Sequence, residues 1–117
     1  MNFIIQLIIS TLAILISSYL LPGVSIVNDS FFTALLVAAV LSFLNSVVKP
    51  IMIIFTIPIT FVTLGFFLLV INAIIILITA WLVSDFIVNS FWWALLFSFI
   101  LSIVTSILES FKKQEEN

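Results

Sequence analysis

The sequence of 117 residues contains no cysteine and no histidine, and its only basic residues are Lys49, Lys112 and Lys113. These absences exclude disulfide frameworks, thiol chemistry and the usual zinc-ligand sets. A net charge of −2 leaves no basic surface for nucleic acid. With two glycines there is no phosphate-binding loop, and no serine or threonine stands beside a base. We therefore expect no metal, no cofactor, no identifiable small-molecule substrate and no enzymatic activity.

Charged side chains make up only 7% of the chain, whereas 65% of its residues are hydrophobic. A soluble domain carries about 25% charged residues, and a domain of this size cannot hide so much apolar surface from water. The composition therefore predicts a protein solvated by a lipid bilayer. The apolar runs reach helix-spanning length without strand-like alternation, which predicts an all-α, polytopic membrane fold.

Four apolar segments have the length of transmembrane helices: 3–21, 31–48, 60–82 and 91–108. Turn-forming residues separate the first two at Pro22-Gly23 and Asn28-Asp29-Ser30, and the last two at Ser84-Asp85 and Asn89-Ser90. Asp29 or Ser30 is the expected N-cap of the second helix. All three lysines fall on the N-terminal side of the membrane, so the positive-inside rule predicts that both termini are cytoplasmic.

Residues 31–48 align without a gap with residues 91–108, 60 positions later, and self-similarity of this kind indicates duplication. We predict one transmembrane domain, 1–111, built from two tandem helical hairpins, with repeat 1 at 1–50 and repeat 2 at 58–111. Because the two hairpins share one membrane orientation, this is a parallel internal repeat. The first helices of the hairpins match more weakly, at an offset of 61. Residues 112–117 are expected to form a short disordered cytoplasmic tail.

The connection between the hairpins, KPIMIIFTIPI at 49–59, is too apolar for a loop in water. Lys49 and Pro50 are predicted to end the second helix, because proline lacks a donor and restricts the residue before it. Pro58 suits the first turn of the third helix. We favour an interfacial segment that lies along the bilayer over a re-entrant segment that lines a cavity.

Two helices carry stripes of small residues spaced four apart, which places each stripe on one helix face. The stripes are Ala34, Ala38, Ser42 and Ser46 in the second helix, and Ala94, Ser98, Ser102 and Ser106 in the fourth. Small residues allow close helix packing in lipid. We favour packing of these two helices within one chain, and the alternative is a contact between copies in a homo-oligomer.

The third helix carries Gly65, Asn72 and Thr79, each seven residues apart and therefore on one face. An asparagine in mid-membrane is costly unless it is hydrogen-bonded, and Thr11 or Ser18 of the first helix could serve as its partner. We favour this role for Asn72 over the alternative of a polar ring that lines a pathway.

Asn45 and Lys49 lie one turn apart at the end of the second helix, just before Pro50. The duplicate positions are Thr105 and Glu109. If the repeat holds, Lys49 and Glu109 occupy equivalent places and could form an ion pair. The alternative is that the Lys49 side chain extends to lipid phosphate.

The block LNSVVKPIMIIFTIPITFVTLGFFLLVINAIIILITAWLV, with FWWALLFSFILSIVTSIL after it, resembles the four-helix phage holin superfamily IV over residues 3–108. The resemblance is carried by Asn45, Val48-Lys49-Pro50, Pro58, Thr63-Leu64-Gly65, Asn72-Ala73 and the aromatic–Ala-Leu start of the fourth helix. Ser84-Asp85 departs from the Pro-Gly turn that relatives often carry there. The resemblance implies a bacterial inner-membrane protein whose oligomers permeabilise the membrane.

Three functional hypotheses follow for a chain of this kind. The first is a self-associating, holin-like protein that permeabilises the membrane or supports envelope integrity. The second is a small channel or transporter that uses Asn45, Lys49 and Asn72. The third is a membrane interaction module for another envelope protein.

Overall fold

A computed structural model describes residues 3–116. The elements are α1 (Phe3–Leu20), β1 (Val24–Ile26), a 3-10 turn (Val27–Asp29), α2 (Phe31–Phe55), α3 (Ile57–Val62), α4 (Phe67–Leu82), β2 (Phe86–Val88) and α5 (Phe91–Glu116). α1, α2 and α5 are long and apolar enough to cross a membrane, whereas α4 is apolar but has only 16 residues. The prediction of an all-α membrane protein is confirmed, with the addition of a small β-ribbon.

The four apolar helices form a ring in which α1 packs against α2 and α5, and α4 packs against the same two helices. α2 and α5 therefore face each other across the diagonal of the bundle. The core is apolar and includes Val24, Val37, Ile71, Phe86 and Phe97, each no more than 1% exposed. The rings of Phe86 and Phe97 lie 5.6 Å apart, centroid to centroid. Val24, Val37, Phe86 and Phe97 lie in the half of the bundle nearest the ribbon, whereas Ile71 lies near the start of α4.

The ribbon joins the two long loops, because β1 pairs antiparallel with β2 in a register that sets Ser25 opposite Ile87. At one end the Val27 N–H donates to the Asp85 carbonyl, and at the other the Asn89 N–H donates to the Gly23 carbonyl, both at 2.9 Å. The loops between α1 and α2 and between α4 and α5 thus lie at the same end of the bundle. We call this the ribbon end and the opposite end the open end.

Serine side chains start both long helices that follow the ribbon. The Ser30 Oγ accepts from the Thr33 N–H at 3.2 Å, and the Ser90 Oγ accepts from the Trp93 N–H at 3.4 Å. A hydroxyl at this position satisfies one of the backbone donors that the first turn of a helix leaves free. The predicted cap at Ser30 is confirmed.

The prediction that Pro50 ends the second helix is wrong, since α2 continues through Pro50 to Phe55. Proline removes only one donor, to the Ser46 carbonyl, and membrane helices tolerate this loss when neighbouring groups or water satisfy the carbonyl. Unwinding the apolar residues 51–55 in lipid would expose several more backbone groups. Residues 49–55 therefore form the last turns of α2.

The predicted third helix, 60–82, is divided into α3 and α4. Leu64 adopts a φ of 57° and Gly65 a φ of 87°, which are left-handed conformations that stop a helix. The Gly65 N–H donates to the Thr60 carbonyl at 2.8 Å, and the Thr63 Oγ1 accepts from the Phe67 N–H at 3.1 Å. These bonds close α3 and open α4.

α5 runs to Glu116, so the backbone of residues 112–116 is helical where the sequence predicted a disordered tail. Residue 117 lies outside the described residues.

Candidate functional site

A cavity of about 490 Å³ opens between α1, α2 and α5 at the open end of the bundle. Its lining is mostly polar and comprises Gln6, Ser10, Ser42, Asn45, Ser46, Ser102, Thr105, Ser106 and Glu109, with Ile14, Ala38, Leu41 and Leu101 as the apolar part. We call this the large chamber. Ser42, Ser46, Ser102 and Ser106 are exposed, so the chamber communicates with the outside.

A second cavity of about 120 Å³ adjoins the first on the α4 side. Asn45, Lys49 and Asn72 line it together with Ser98, Ser102 and the apolar side chains of Leu41, Ile75, Ile76 and Leu101. We call this the small chamber. It brings together the three residues that the channel hypothesis selected from the sequence.

The two chambers form one vestibule, because Leu41, Asn45, Leu101 and Ser102 line both. On α5 the vestibule extends from Glu109 down to Ser98, a rise of about 16 Å for 11 residues. The hydrocarbon core of a bilayer is about 30 Å thick. The vestibule therefore spans about half that thickness along α5 and ends at the packed core near Phe97.

The hydrogen bonds around the vestibule are unevenly distributed. The Gln6 Nε2 donates to the Glu109 Oε1 at 3.0 Å and so joins the start of α1 to the end of α5. Among the side chains of residues 3–28 and 30–111, neither Lys49 nor Asn72 has a hydrogen-bond or ion-pair partner. The Thr11 hydroxyl donates to the Leu7 carbonyl and the Ser18 hydroxyl to the Leu15 carbonyl, so neither serves Asn72 as proposed.

The small-residue stripes divide at the level of Ser98. Ala34, Ala38, Ala94 and Ser98 are buried, whereas Ser42, Ser46, Ser102 and Ser106 line the large chamber. Both stripes therefore face the interior of one chain. Because α2 and α5 lie across the diagonal, the stripes flank a shared space instead of packing directly against each other.

Three other residues selected from the sequence lie away from the vestibule. Thr79 is fully buried, and its hydroxyl donates to the Ile75 carbonyl at 2.9 Å. Gly65 belongs to the break between α3 and α4, and Pro50 lies on the exposed surface of α2. Of Gly65, Asn72 and Thr79, which share a heptad spacing, Asn72 alone lines the vestibule.

Gln6 and Ser10 line the large chamber but were not selected from the sequence. Their spacing of four residues puts both on one face of α1, with Ile14 one turn further on. A polar pair at helical spacing in an apolar helix was the available signal. Among residues 3–28 and 30–111, whose side chains the structure describes, there is no cluster of three acidic or other metal-binding side chains.

Two comparisons with known proteins agree with this architecture. The family model described as "Mycobacterial 4 TMS phage holin, superfamily IV" matches residues 1–107. The chain therefore belongs to this family of membrane proteins, as the resemblance implied.

Two relatives are similar over most of their length. The uncharacterized protein SCO3922 of Streptomyces coelicolor is 36% identical over 118 residues, which cover 94% of each chain. The uncharacterized membrane protein YvlD of Bacillus subtilis is 43% identical over 86 residues, which cover 73% of this chain and 72% of the relative. No solved structure matches the chain.

Proposed function

We propose that this protein is a holin-like, non-enzymatic protein of the bacterial inner membrane that permeabilises the bilayer to small polar solutes through its own helix bundle. The observation that carries the proposal is the vestibule, whose walls hold nine polar side chains in the large chamber alone. The proposal takes membrane permeabilisation from the holin-like hypothesis. It takes a pathway inside one copy of the chain from the channel hypothesis.

Water in the vestibule is the simplest source of hydrogen-bond partners for the polar side chains that line it. Backbone and side-chain polar groups that face hydrocarbon without a partner cost several kcal/mol each. The hydroxyl groups of Ser42, Ser46, Ser102 and Ser106 are exposed and line one space, which suits ordered or mobile water. A polar wall of this extent inside a lipid-solvated bundle favours a solvent-filled pathway over a packing seam.

The pathway is closed at the ribbon end by large apolar side chains. Phe86 and Phe97 are 1% and 0% exposed, and they contact each other beyond the floor of the vestibule. Permeation therefore requires these rings to separate or to be replaced. The closed core acts as the barrier of the pathway.

Several features support the tandem hairpins that we predicted from the sequence. At an offset of 62, the buried residues Ile9, Thr11, Ala13, Ile14 and Ser17 of α1 fall on Ile71, Ala73, Ile75, Ile76 and Thr79 of α4, which are also buried. In the two hydrogen bonds that close the ribbon, the donors Val27 and Asn89 are related by the same offset, and so are the acceptors Gly23 and Asp85. The buried faces of α1 and α4 thus align at an offset one residue longer than the 61 predicted from the sequence. A twofold arrangement puts the vestibule on the axis between the repeats.

Liposome permeability tests the proposal. We expect purified protein to raise the permeability of liposomes to glycerol, measured by stopped-flow swelling, and Phe97→Ala to raise it further by removing the barrier. Ser42→Leu with Ser102→Leu should lower it by filling the vestibule. Ser25→Leu, on the ribbon and outside the vestibule, is the matched control. Folded Phe97→Ala protein with the permeability of protein-free liposomes would contradict the proposal.

The orientation with both termini in the cytoplasm is tested by labelling in a chain that has no natural cysteine. We expect Ser25→Cys in intact cells to react with a membrane-impermeant maleimide, and Ser110→Cys to react only after lysis. The reverse pattern would place the open end outside and would overturn the orientation.

Self-association stays a prediction, as does a role in envelope integrity or in binding another envelope protein. The stripes that suggested a contact between copies face the interior, so they support packing within the chain. Mass measurement of the protein in nanodiscs gives the number of copies directly. A single copy per disc that still conducts would separate permeation from oligomerisation.

A further inference from the structure

We propose that the vestibule binds a zwitterion, with an oxyanion held at Lys49 and an ammonium group held at Glu109. The ligand class is an ammonium and an oxyanion on one small group, either a lipid headgroup or a free solute. Binding of a zwitterion at this site does not require that the protein conduct solutes across the membrane.

The first step of the argument is the charge inventory of the vestibule. Lys49 lines the small chamber and Glu109 the large chamber, and among the side chains that the structure describes no other charged one lines either chamber. They occupy equivalent positions, each 11 residues beyond Ala38 and Ser98 on α2 and α5. The two charges are therefore at the same depth on the facing helices of the bundle.

The second step is the position of Lys49 within α2 instead of at its end. α2 continues for about 9 Å beyond Lys49. The apolar side chains that follow are exposed, among them Ile54 at 65%, Phe55 at 80% and Phe61 at 82%, and an exposed apolar surface of this kind suits contact with lipid. Lys49 is thus flanked by a lipid-covered segment and lines a cavity, which is the setting in which an intramembrane charge is usually functional.

The third step is that the two charges do not neutralise each other. Within the described residues, Glu109 accepts a hydrogen bond from Gln6, and Lys49 forms no ion pair. In a ring of four helices whose neighbours are 8–10 Å apart, the diagonal is about 11–14 Å. A small zwitterion can span the gap between two side chains that reach inward across this diagonal.

The fourth step is the chemistry between the charges. Lys49 offers three donors, and the amides of Asn45 and Asn72 offer two each, which suits a phosphate or carboxylate. Glu109 and the hydroxyls of Thr105 and Ser106 offer acceptors, which suits an ammonium group. The large chamber, at about 490 Å³, has the size of a typical ligand site.

Lipid retention in nanodiscs tests the lipid source. The protein is placed in discs of equal parts phosphatidylethanolamine and phosphatidylglycerol, and the lipids that remain bound after release into detergent are counted by native mass spectrometry. We expect enrichment of phosphatidylethanolamine, which falls about tenfold in Lys49→Gln and in Glu109→Gln, since each removes a charge-assisted hydrogen bond.

A charge swap separates recognition from folding. Lys49→Glu with Glu109→Lys keeps both charges and is expected to retain the ligand in reversed orientation, whereas Lys49→Glu alone loses it. Asp85→Asn, which removes a carboxylate at the ribbon end, is the matched control and should bind as the wild type does. Circular dichroism confirms that each variant is folded.

The free-solute source is tested with alanine and with phosphoethanolamine, each added to protein in discs that contain only phosphatidylglycerol. A rise in melting temperature that is lost in Lys49→Gln assigns the site to a soluble zwitterion. Enrichment or stabilisation that persists in both Lys49→Gln and Glu109→Gln overturns the proposal. So does the absence of any effect from both the lipid and the solutes.

Discussion

The indole of Trp93 lies directly over Gly23, in the space that a β-carbon at Gly23 would occupy. Gly23 is buried between α1 and β1, and Trp93 stands in the first turn of α5. The φ of Gly23 is not in the left-handed range, so glycine is required for close approach and not for backbone conformation. This contact fixes the start of α5 against the ribbon.

Gly23→Ala is expected to lower the free energy of unfolding by about 1–3 kcal/mol, because the new methyl group overpacks against ring carbons that cannot move aside cheaply. Thermal unfolding in detergent, followed by circular dichroism, measures the change. Ser25→Ala on the exposed side of β1 is the control and should have little effect. Equal effects of the two substitutions would contradict the contact.

Ser25→Cys with Ile87→Cys is expected to form an intramolecular disulfide under mild oxidation. Directly opposed residues of an antiparallel ribbon have α-carbons about 4.5–5.5 Å apart, which suits disulfide geometry. The cross-link is read as a shift in gel mobility. Ser25→Cys with Ser90→Cys, three residues out of register, is the control. Cross-linking only between copies would show that the two loops do not meet within one chain.

Ser17→Ala is expected to leave the free energy of unfolding unchanged or to raise it by about 1 kcal/mol. The Ser17 hydroxyl is buried and has no hydrogen-bond partner among the described residues, so its removal relieves a desolvation cost. Ser18→Ala is the matched control, since Ser18 donates to the Leu15 carbonyl at 3.0 Å. Chemical unfolding in mixed micelles ranks the two variants. Greater destabilisation by Ser17→Ala would indicate that a partner binds Ser17.

Asn72→Leu is expected to keep the melting temperature within about 2 °C of the wild type, because Asn72 lines the small chamber without a partner in the described part of the chain. In the Phe97→Ala background it should lower glycerol permeability by replacing a polar wall with an apolar one. A stability loss of about 0.5–2 kcal/mol without a change in permeability would instead support interhelical hydrogen bonding.

Helix existence and helix starts were predictable from the sequence because their causes are local. Hydrophobic length gave the helices, and Ser30 marked the start of α2 through its own side chain. The end of α2 was not predictable in the same way. Pro50 would stop a helix in water, but the lipid surroundings make continuation less costly than unwinding.

The vestibule was predictable only in part, because it depends on which helices are neighbours. The sequence placed Asn45, Lys49 and Asn72 as candidates for one pathway, and the small chamber brings them together. It gave no sign that the stripe residues Ser46 and Ser106 would face a cavity instead of a helix. That outcome follows from the diagonal placement of α2 and α5, which is a tertiary property.

The ribbon was not predicted because strands of three residues carry too little pattern. Val24-Ser25-Ile26 is a single alternation of buried and exposed residues, and the same letters fit an ordinary turn. Pairing is decided by the partner strand, 60 residues away in the chain. Such short strands can be predicted only once the arrangement of the helices is known, because that arrangement brings the two loops to the same end of the bundle.

The ribbon joins the two halves of the molecule at one end through backbone hydrogen bonds, whereas at the open end α1 and α5 are joined by the Gln6–Glu109 side-chain hydrogen bond. A rotation of one half against the other about the paired residues Ser25 and Ile87 would break the Gln6–Glu109 hydrogen bond while the ribbon stays paired. A small change of angle at the ribbon produces a larger change in the distance between Ser46 and Ser106, because both residues lie toward the open end. The opening of the vestibule can therefore change its width without loss of the pairing between β1 and β2.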